Sequence, residues 1–580
     1  MEFALKCLLF CLTTLLANAD PNEDLFIKRK AKYVERGLNT IIKPCENFWE
    51  YANGNIDYQR LTGEYLRLAK EVLEKPSKKE IPVIKKVRNH FSACQSKGID
   101  RFLNELNNKT RTEKPWEKEV NAFRARLNSS SLENSQTFIE LTGDVFRLLY
   151  KFTGGEAFSS VAGIVSGRVH KSLAPSTVNL LAHNASLAKD FLNKVFDDDV
   201  DISGLNYVGV TMQPLKYRRR RLEFLLALVT NTTLLPRYVS CEAYIRAVFS
   251  TYYQKMVHDY YGEKYVKNVA GLFLSDIKEL AKTIEAEFKF GNMISDGIRK
   301  VMLDLLKNNT FYTLDHPIND DSMFEKHFGN VEFDYPYLNR FRNNFKPMFR
   351  AAHGRESGFY RIPRTGYNAL HTPTNRNFFD WLLFLFPNYH PEFPEVLRFS
   401  GSIFVAAHEI GHGFEDELKG IGAKDPTYSK IYDCLYELYG GHCDPNDSTV
   451  CVDPKYNMLE NFADYFAVRM AYLAYKRKTL KKTTHRVERR ILNKFTNDQL
   501  FFVNMAQTMA RFGTWKGHGA SDTHSPGPLR LWAGLAGMKA FTNAFNCRAG
   551  SSYRIEDGCN LYNGKFQPDY NLTVNGIAMK

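Results

Sequence analysis

Two histidines and a glutamate lie together in the sequence HEIGH, as His408, Glu409 and His412. The apolar and small residues around them, from Ser402 to Gly413, are typical of a buried helix. Positions i and i+4 share one helix face, so both imidazoles can bind one Zn²⁺ while Glu409 projects toward the open coordination position. Gly413 is expected to end this helix. The pattern predicts a zinc site; a pair of core histidines is the alternative interpretation.

A catalytic zinc usually takes a third protein ligand and keeps one position for water. Glu460 is the best candidate, because ENFAD at residues 460–464 is predicted to open a second apolar helix that reaches about Tyr475. Asp464 is four residues further on the same face, where it can accept the outer N–H of a zinc-bound histidine. Alone, such a Glu and Asp pair is more often a solvated helix face. Beside HEIGH, it predicts one Zn²⁺ per chain.

The chemistry that suits these residues is hydrolysis by an activated water. Zinc lowers the pKa of its water and polarises a carbonyl group. Glu409 can take the water proton and later deliver it to a leaving amine. The oxyanion that results needs a further donor. His524 and Arg530, in DTHSPGPLR at residues 522–530, can supply positive charge, although spacing alone does not single them out.

The elements that must position these residues read as helices, and strand-like alternation is scarce. Phe324–Arg364, rich in Asn, Pro, Gly and aromatic residues, is expected to hold a boundary or short strands. The 580 residues exceed what one hydrophobic core usually supports, so two or more domains are expected. Helical spacing is clearest in Glu64–Leu73, Glu80–Gln95, Ser135–Phe152 and Ala243–Tyr261.

Residues 1–19 are predicted to be a secretory signal peptide, with an apolar stretch and a cleavage pattern before Asp20. The apolar run is too short to span a bilayer, and no other segment qualifies, so we expect an exported chain with no membrane anchor. Removing Cys7 and Cys11 with the signal leaves 10 − 2 = 8 cysteines. An even number in an oxidising compartment favours disulfides.

Seven Asn-x-Ser/Thr sequons fit a glycosylating secretory pathway, although each is weak alone. They begin at Asn108, Asn128, Asn184, Asn231, Asn308, Asn446 and Asn571. The net charge is +14, and its densest run is KYRRRR at residues 216–221. We expect this run to be a solvated surface, with a processing site or a polyanion contact as the alternative, and we expect no nucleic-acid partner.

With these motifs in this order, the chain resembles the neprilysin and endothelin-converting-enzyme family of zinc peptidases. HEIGHGFED at 408–416 is similar to the family's HExxHGFDD, ENFAD to ENxAD, and DTHSPGPLR to DxHSPxxxR. Upstream, PCENFWEYANG at 44–54 resembles PCxDFxxYxCG, and QLFFVNMAQ at 499–507 matches QLFFxxxAQ. The matches extend as far as Cys559.

The resemblance implies a mainly α (α+β), two-lobed fold with a thermolysin-like catalytic lobe. A largely helical N-terminal lobe would enclose the active-site cavity and restrict substrates to peptides. We place the N-terminal lobe at residues 20–340, the catalytic lobe at 341–560 and a tail at 561–580.

The resemblance also implies roles for single residues. His524 would stabilise the oxyanion, and Arg530 would hold a substrate carbonyl on the leaving-group side. Asn368 and Ala369 resemble the segment that hydrogen-bonds the substrate backbone in the family. Phe404 and Val405 would help to line an apolar pocket for the substrate residue that follows the cleaved bond.

The family pattern implies that all eight cysteines pair, as Cys45 with Cys547, Cys94 with Cys241, Cys434 with Cys559 and Cys443 with Cys451. The family cysteines expected at Asn53 and Ala510 are both absent, which leaves no unpaired thiol. Three departures concern substrate preference: Leu370-His371 where the family favours aromatics, Met509 for a pocket tryptophan, and Tyr465-Phe466 for a glycine-containing sequence.

The sequence therefore predicts a secreted zinc metalloendopeptidase that cuts peptides on the amino side of hydrophobic residues. The alternative is a catalytically silent secreted relative that binds peptides or a partner. Pseudoenzymes generally lose the base or a ligand, whereas this chain keeps all of these residues. An aminopeptidase would want an acidic anchor of the Gly-x-Met-Glu-Asn type, which is absent from the sequence. The oligomeric state is not predicted.

Overall fold

The structure is a computed structural model that describes most of the chain between residues 23 and 578. It describes residues 23–56, 58–77, 79–153, 177–180, 184–196, 209–211, 214–231, 238–290, 295–315, 319–331, 333, 369–372, 375–422, 426–480, 495–510, 513–515, 523–555, 559, 573–574 and 577–578. The predicted signal peptide, the predicted boundary at 340, Asn368, Asn571 and most of the predicted tail lie outside these residues.

The described chain is mostly helical, as predicted. Up to residue 261 the helices are α1 (Glu23–Gly37), α2 (Phe48–Asn53), α3 (Tyr58–Glu74), α4 (Pro82–Lys97), α5 (Ile99–Glu113), α6 (Glu117–Ser129), α7 (Ser135–Thr153), α8 (Ala185–Phe196), α9 (Leu215–Asn231), α10 (Cys241–Val248) and α11 (Ser250–Tyr261). The continuous helix predicted over Ala243–Tyr261 is instead two helices that meet at Phe249, whose backbone (φ −120°, ψ 42°) is not helical.

The second half of the chain continues in the same way. Its helices are α12 (Glu263–Phe290), α13 (Asp296–Lys307), α14 (Asp321–Phe328), α15 (Glu395–Ser400), α16 (Ser402–Gly422), α17 (Pro426–Tyr439), α18 (Met458–Leu480), α19 (Asn497–Met509), α20 (Gly527–Leu535) and α21 (Lys539–Phe545), with a 3₁₀ helix at Trp381–Phe384. Within the described residues, none of the helices combines the length and the apolar character that a membrane crossing requires.

The strands are short and form small sheets. They are β1 (Thr177–Asn179), β2 (Gly209–Thr211), β3 (Thr310–Tyr312), β4 (Ala369–Thr372), β5 (Arg376–Phe379), β6 (Cys443–Asp444), β7 (Asp447–Cys451), β8 (Thr573–Val574) and β9 (Ile577–Ala578). The largest sheet has the order β3-β5-β4, with β3 parallel and β4 antiparallel to β5. β4 is therefore an edge strand, and it pairs His371 with Asn377.

The chain forms two compact units from discontinuous segments. Unit 1 comprises Met1–Arg60, Lys267–Tyr312 and Tyr367–Lys580, and unit 2 comprises Leu61–Val266 and Thr313–Gly366. The segments before residue 61 and from 267 to 312 thus belong to the unit that holds HEIGH. The contiguous lobes predicted from the sequence divide the chain differently and stay a prediction.

Unit 1 is organised around the packing of α16 against α18. The contact is close because Gly411 has no side chain: a Cβ at this position would lie 3.0 Å from Cα of Ala463. Both helices are apolar, with Ile403, Ala407 and Ala467 fully buried. A small residue on each helix therefore lets two buried helices approach closely enough for side chains on both to meet.

The prediction that Gly413 ends the first zinc helix is wrong, since α16 continues to Gly422. Gly413 is needed for contact rather than for a helix end. A Cβ there would lie 3.0 Å from Cε1 of His371 and 3.2 Å from Oδ1 of Asn375. The absent side chain makes room for the side chains of His371 and Asn375 beside the helix.

Charge is buried in the interior of unit 1. Asp276 on α12 is fully buried and accepts hydrogen bonds from Nε of Arg398 at 2.7 Å and from the hydroxyl of Tyr389 at 3.2 Å. Lys478 on α18 also donates to Asp276. Burying these charges is tolerable because each one is paired.

Unit 2 has a conventional apolar core where α6, α7, α8 and α9 pack together. Its members include Phe123, Leu148, Phe191 and Leu225. Within a single helix the core side chains recur at helical spacing, as Val120, Phe123 and Leu127 do in α6. Each helix therefore turns one apolar stripe inward.

The candidate metal centre

The two histidines of HEIGH lie one turn apart on α16. Nε2 of His408 and Nε2 of His412 are 3.0 Å apart, so both rings turn the same nitrogen toward one point. The i and i+4 spacing explains this arrangement, because it places both side chains on one face of the helix.

Glu460, in the first turn of α18, brings a carboxylate to the same point. Its Oε2 lies 3.2 Å from Nε2 of His408 and 3.5 Å from Nε2 of His412. Zinc binds such atoms at about 2.0–2.1 Å, so tetrahedral ligands stand about 3.3 Å apart. The three separations agree with that value. Among the described residues, this is the group of His, Cys, Asp and Glu side chains that could hold a metal ion.

Asp464 supports this set from one turn further along α18. Its Oδ1 lies 2.9 Å from Nδ1 of His408. Arg530 on α20 donates to both oxygens of Asp464, and the distance from Nη2 to Oδ1 is 2.9 Å. Burial raises the pKa of Asp464, but the charge of Arg530 and the contacts with His408 outweigh it and hold this pKa at about 2. An ionised Asp464 makes Nδ1 of His408 the donor and leaves Nε2 as a lone pair for a metal.

The electrostatics of His408 link metal binding to protons. Burial lowers its pKa, but the carboxylates of Asp464 and Glu460 outweigh burial and raise this pKa to about 10. The pKa of His412 is lowered to about 3 by burial and by its neighbour His408. A histidine must be neutral to bind a metal, so binding here releases a proton from His408.

Glu409 follows His408 on α16, interacts electrostatically with Glu460 and His524, and is 4% exposed. Burial raises its pKa to about 7, although the backbone N–H of His371 donates a hydrogen bond to it. A cation held by the neighbouring ligands would lower this pKa again. A carboxylate that titrates near neutrality is suited to receive a proton and give it back.

His524 and Arg530, which spacing alone could not identify, both lie at this centre. Nε2 of His524 is 3.1 Å from Oε2 of Glu460. Arg530 is 1% exposed and bonds to Asp464. Its predicted contact with a substrate carbonyl stays a prediction.

The substrate-binding predictions are distributed differently. Ala369 begins the edge strand β4, whereas Asn368 is outside the described residues. The side chains of Phe404 and Val405 on α16 are 1% and 2% exposed, so both are buried in the protein interior. Their predicted pocket remains untested.

His371 was not predicted to contribute to the centre, yet its backbone N–H donates a hydrogen bond to Glu409 and its ring lies against Gly413. Nδ1 of His371 is 3.0 Å from Oδ1 of Asn377, whose Nδ2 donates to Asn309 and to the carbonyl of Thr310. Because Nδ2 of Asn377 already donates to these two oxygens, Oδ1 of Asn377 faces the ring of His371. Nδ1 of His371 must therefore be the donor. The one sign of this in the sequence was that His371 stands where the family favours an aromatic residue.

The structure forms four disulfides, which are the expected pairs. They are Cys45–Cys547, Cys94–Cys241, Cys434–Cys559 and Cys443–Cys451. At the site of the missing family cysteine, the buried Asn53 donates to the carbonyl of Ala506 at 3.2 Å. Gln507 donates to the carbonyls of Ala52 and Val34 at 3.1 and 2.9 Å. Hydrogen bonds thus join α2 to α19 there.

Glycosylation requires an accessible asparagine. Five of the seven predicted sites are exposed: Asn108, Asn128, Asn184, Asn308 and Asn446. Asn231 ends α9, and neither its side chain nor Asn571 is among the described residues. Modification at these sites stays a prediction.

Comparison with known proteins gives a match over the residues that build this centre. Residues 368–561 match the family described as Peptidase family M13. Neprilysin-2 of Caenorhabditis elegans is 30% identical over 190 residues, which cover 30% of this chain and 25% of that protein. Neprilysin-2 of Drosophila melanogaster is 27% identical over 320 residues, which cover 51% of this chain and 39% of that protein. The chain thus spans between a quarter and two fifths of these relatives.

Solved structures share the fold over most of the chain. The structure named "Haemonchus galactose containing glycoprotein complex" matches with a TM-score of 0.59 at 16% identity, covering 91% of this chain and 98% of that one. The inhibitor complex of the zinc metalloprotease Zmp1 of Mycobacterium tuberculosis matches with a TM-score of 0.52 at 14% identity, covering 90% and 97%. At these identities the likeness concerns the fold alone.

Proposed function

Since the chain belongs to peptidase family M13, we propose that it is a zinc-dependent metalloendopeptidase that hydrolyses peptides. The observation that carries the proposal is the convergence of His408, His412 and Glu460 at tetrahedral separations beside the buried carboxylate of Glu409. A structural zinc would be held by four protein ligands, whereas three with a neighbouring base suit a catalytic one.

In this proposal the residues of the centre have different tasks. His408, His412 and Glu460 hold the zinc, which supplies Lewis acidity to water and to the scissile carbonyl when bound. Glu409 takes the proton from the attacking water and delivers it to the leaving amine. His524 stabilises the developing oxyanion. Asp464 holds His408 in its metal-binding tautomer, and Arg530 keeps Asp464 ionised.

The finer parts of the proposal concern substrate and location. Cleavage on the amino side of hydrophobic residues follows from the family resemblance, with Phe404 and Val405 near the pocket and Asn368, Ala369 and Arg530 on the peptide backbone. β4 supports a backbone role, because a strand at the edge of the described sheet can be extended by pairing with a peptide. The signal-like first 19 residues and the cysteine pairs favour secretion.

The test is hydrolysis of a mixed peptide library by the wild-type protein and by Glu409→Gln, with zinc content measured on both. We expect both proteins to hold one zinc. Turnover by Glu409→Gln should be slower than that of the wild type by about 10²- to 10⁴-fold. Zinc in both with cleavage by neither would favour the silent peptide-binding alternative. Full turnover by zinc-loaded Glu409→Gln would refute the role of Glu409.

A further inference from the structure

Helix α9 presents two different surfaces within unit 2. Its buried side contributes Leu222, Leu225 and Val229 to the apolar core. At about 100° per residue, Lys216, Tyr217, Arg220 and Phe224 fall within an arc of about 100° on the opposite side. All four side chains are exposed. We call these four residues the α9 face.

The basic run of α9 divides into engaged and available charges. Arg218 donates to the backbone carbonyls of Leu132 and Glu133, and Arg219 pairs with Glu223 at 3.1 Å. Within the described part of the chain, Lys216 and Arg220 have no carboxylate at ion-pair distance. Lys216 and Arg220 are thus left for a ligand, whereas Arg218 ties α9 to the segment before α7 and Arg219 is paired within its own helix.

Apolar exposure is concentrated on the same helix. Eight large hydrophobic side chains stand exposed among the described residues, and three of them, Leu215, Tyr217 and Phe224, belong to α9. Tyr217 and Phe224 are 44% and 51% exposed. Cations flank both rings: Nζ of Lys216 is 4.7 Å from the ring of Tyr217, and the guanidinium of Arg221 is 5.8 Å from that of Phe224.

We propose that the α9 face docks on a lipid bilayer surface that carries anionic phospholipid headgroups. Lys and Arg near such a surface are attracted to it, and the net charge of +14 favours the approach at longer range. Tyr and Phe rings gain by leaving water at the boundary between headgroups and acyl chains. A sulfated polysaccharide would use the cations but leave both rings in water. The proposal is independent of the peptidase activity and requires no membrane-spanning segment.

The test measures co-sedimentation of the full-length protein with phosphatidylcholine vesicles, with and without phosphatidylserine. We expect binding to the vesicles that contain phosphatidylserine, weakening as salt is added. The double variant Lys216→Gln with Arg220→Gln should weaken binding about 30-fold, because both cations contribute to the electrostatic attraction between the protein and the anionic surface. The double variant Tyr217→Gln with Phe224→Gln should weaken vesicle binding but leave its dependence on salt concentration unchanged.

The matched control is Lys85→Gln with Lys86→Gln, which removes the same charge from an exposed part of α4 in unit 2. It should bind as the wild type does. In a second experiment, the indole introduced by Phe224→Trp should be quenched by brominated lipid. Equal losses in the α9 and α4 variants, no binding to any vesicle, or binding to heparin without binding to vesicles would each overturn the proposal. Unchanged thermal unfolding of the variants separates these results from misfolding.

Discussion

The metal centre of unit 1 and the α9 face of unit 2 use charged side chains in opposite ways. At the metal centre, Asp464 and Arg530 are almost completely buried, and each is bonded to the other. On α9, Lys216 and Arg220 are exposed. Buried charges interact strongly because little water screens them, whereas exposed ones contribute little to stability. The same kinds of residue are therefore suited to a buried chemical site in one region and to surface attraction in the other.

The sharpest way to test this comparison is to remove a ligand. Glu460→Ala should lose zinc and with it all turnover, because a third of the ligand set disappears. The loss of affinity should exceed the 10- to 100-fold that follows removal of a supporting carboxylate. Zinc content after dialysis measures the effect. Glu437→Ala, an exposed glutamate on the neighbouring α17, is the control and should keep its metal. Full occupancy in Glu460→Ala would end the ligand assignment.

A second prediction compares one arginine from each region. Arg530→Met leaves the carboxylate of Asp464 buried without its guanidinium, so the free energy of unfolding should fall by about 3–5 kcal/mol. Arg220→Met on the α9 face should change it by less than about 0.5 kcal/mol. Denaturant unfolding of the two variants gives both values. Similar losses would mean that burial does not separate the two regions.

The disulfides give a smaller contrast between the units. Cys94–Cys241 in unit 2 closes a separation of 147 residues, whereas Cys443–Cys451 in unit 1 closes one of 8. Chain entropy assigns about 5 kcal/mol to the first and about 2.5 kcal/mol to the second. Replacing each pair by serines should therefore cost unit 2 about twice as much. Calorimetry of both double variants provides the comparison, and a larger loss for the short loop would contradict the entropic account.

Opposite responses to pH are expected in the two units. Burial lowers the pKa of His90 in unit 2 from 6.5 to about 4, so only the unfolded chain binds a proton between these values and stability falls as pH falls. Burial raises the pKa of Glu287 in unit 1 from 4.5 to about 7 against the charge of Arg477, so its stability contribution falls as pH rises through this window.

Between about pH 5 and 7, each group should change the free energy of unfolding by about 2 kcal/mol. His90→Gln should remove the loss toward low pH, and Glu287→Gln should remove the loss toward high pH. Unfolding free energies measured across this range decide the point. Slopes that change in the same direction in both variants would show that these groups are not the source.

The local part of this organisation could be predicted from the sequence. The spacing of His408 and His412 requires only that the segment be a helix, and the helix formed. The mostly helical fold is confirmed, and the need for a third ligand beside HEIGH led to Glu460 and Asp464 in ENFAD. These side chains meet in the structure because motif residues report local geometry, in which one turn of helix fixes which side chains lie together.

What the sequence could not show depends on contacts between distant residues. Gly413 was expected to end a helix, but its missing side chain makes room for His371, some forty positions earlier. The bonds that Asn53 and Gln507 make were likewise invisible, because a missing cysteine does not tell which groups replace it. The interleaving of the two units has no local signal, since each segment reads as ordinary amphipathic helix.

The bond between Cys45 and Cys547 has a consequence for biosynthesis. The two cysteines are 502 residues apart, and at about 5–20 residues per second the ribosome needs roughly 25–100 s to pass from one to the other. Cys94 and Cys241 both emerge within that interval, so unit 2 can close its disulfide while Cys45 is still a thiol. Translation therefore favours an order of assembly in which unit 1 is completed last, and Cys45 must not pair with the cysteines that emerge before Cys547.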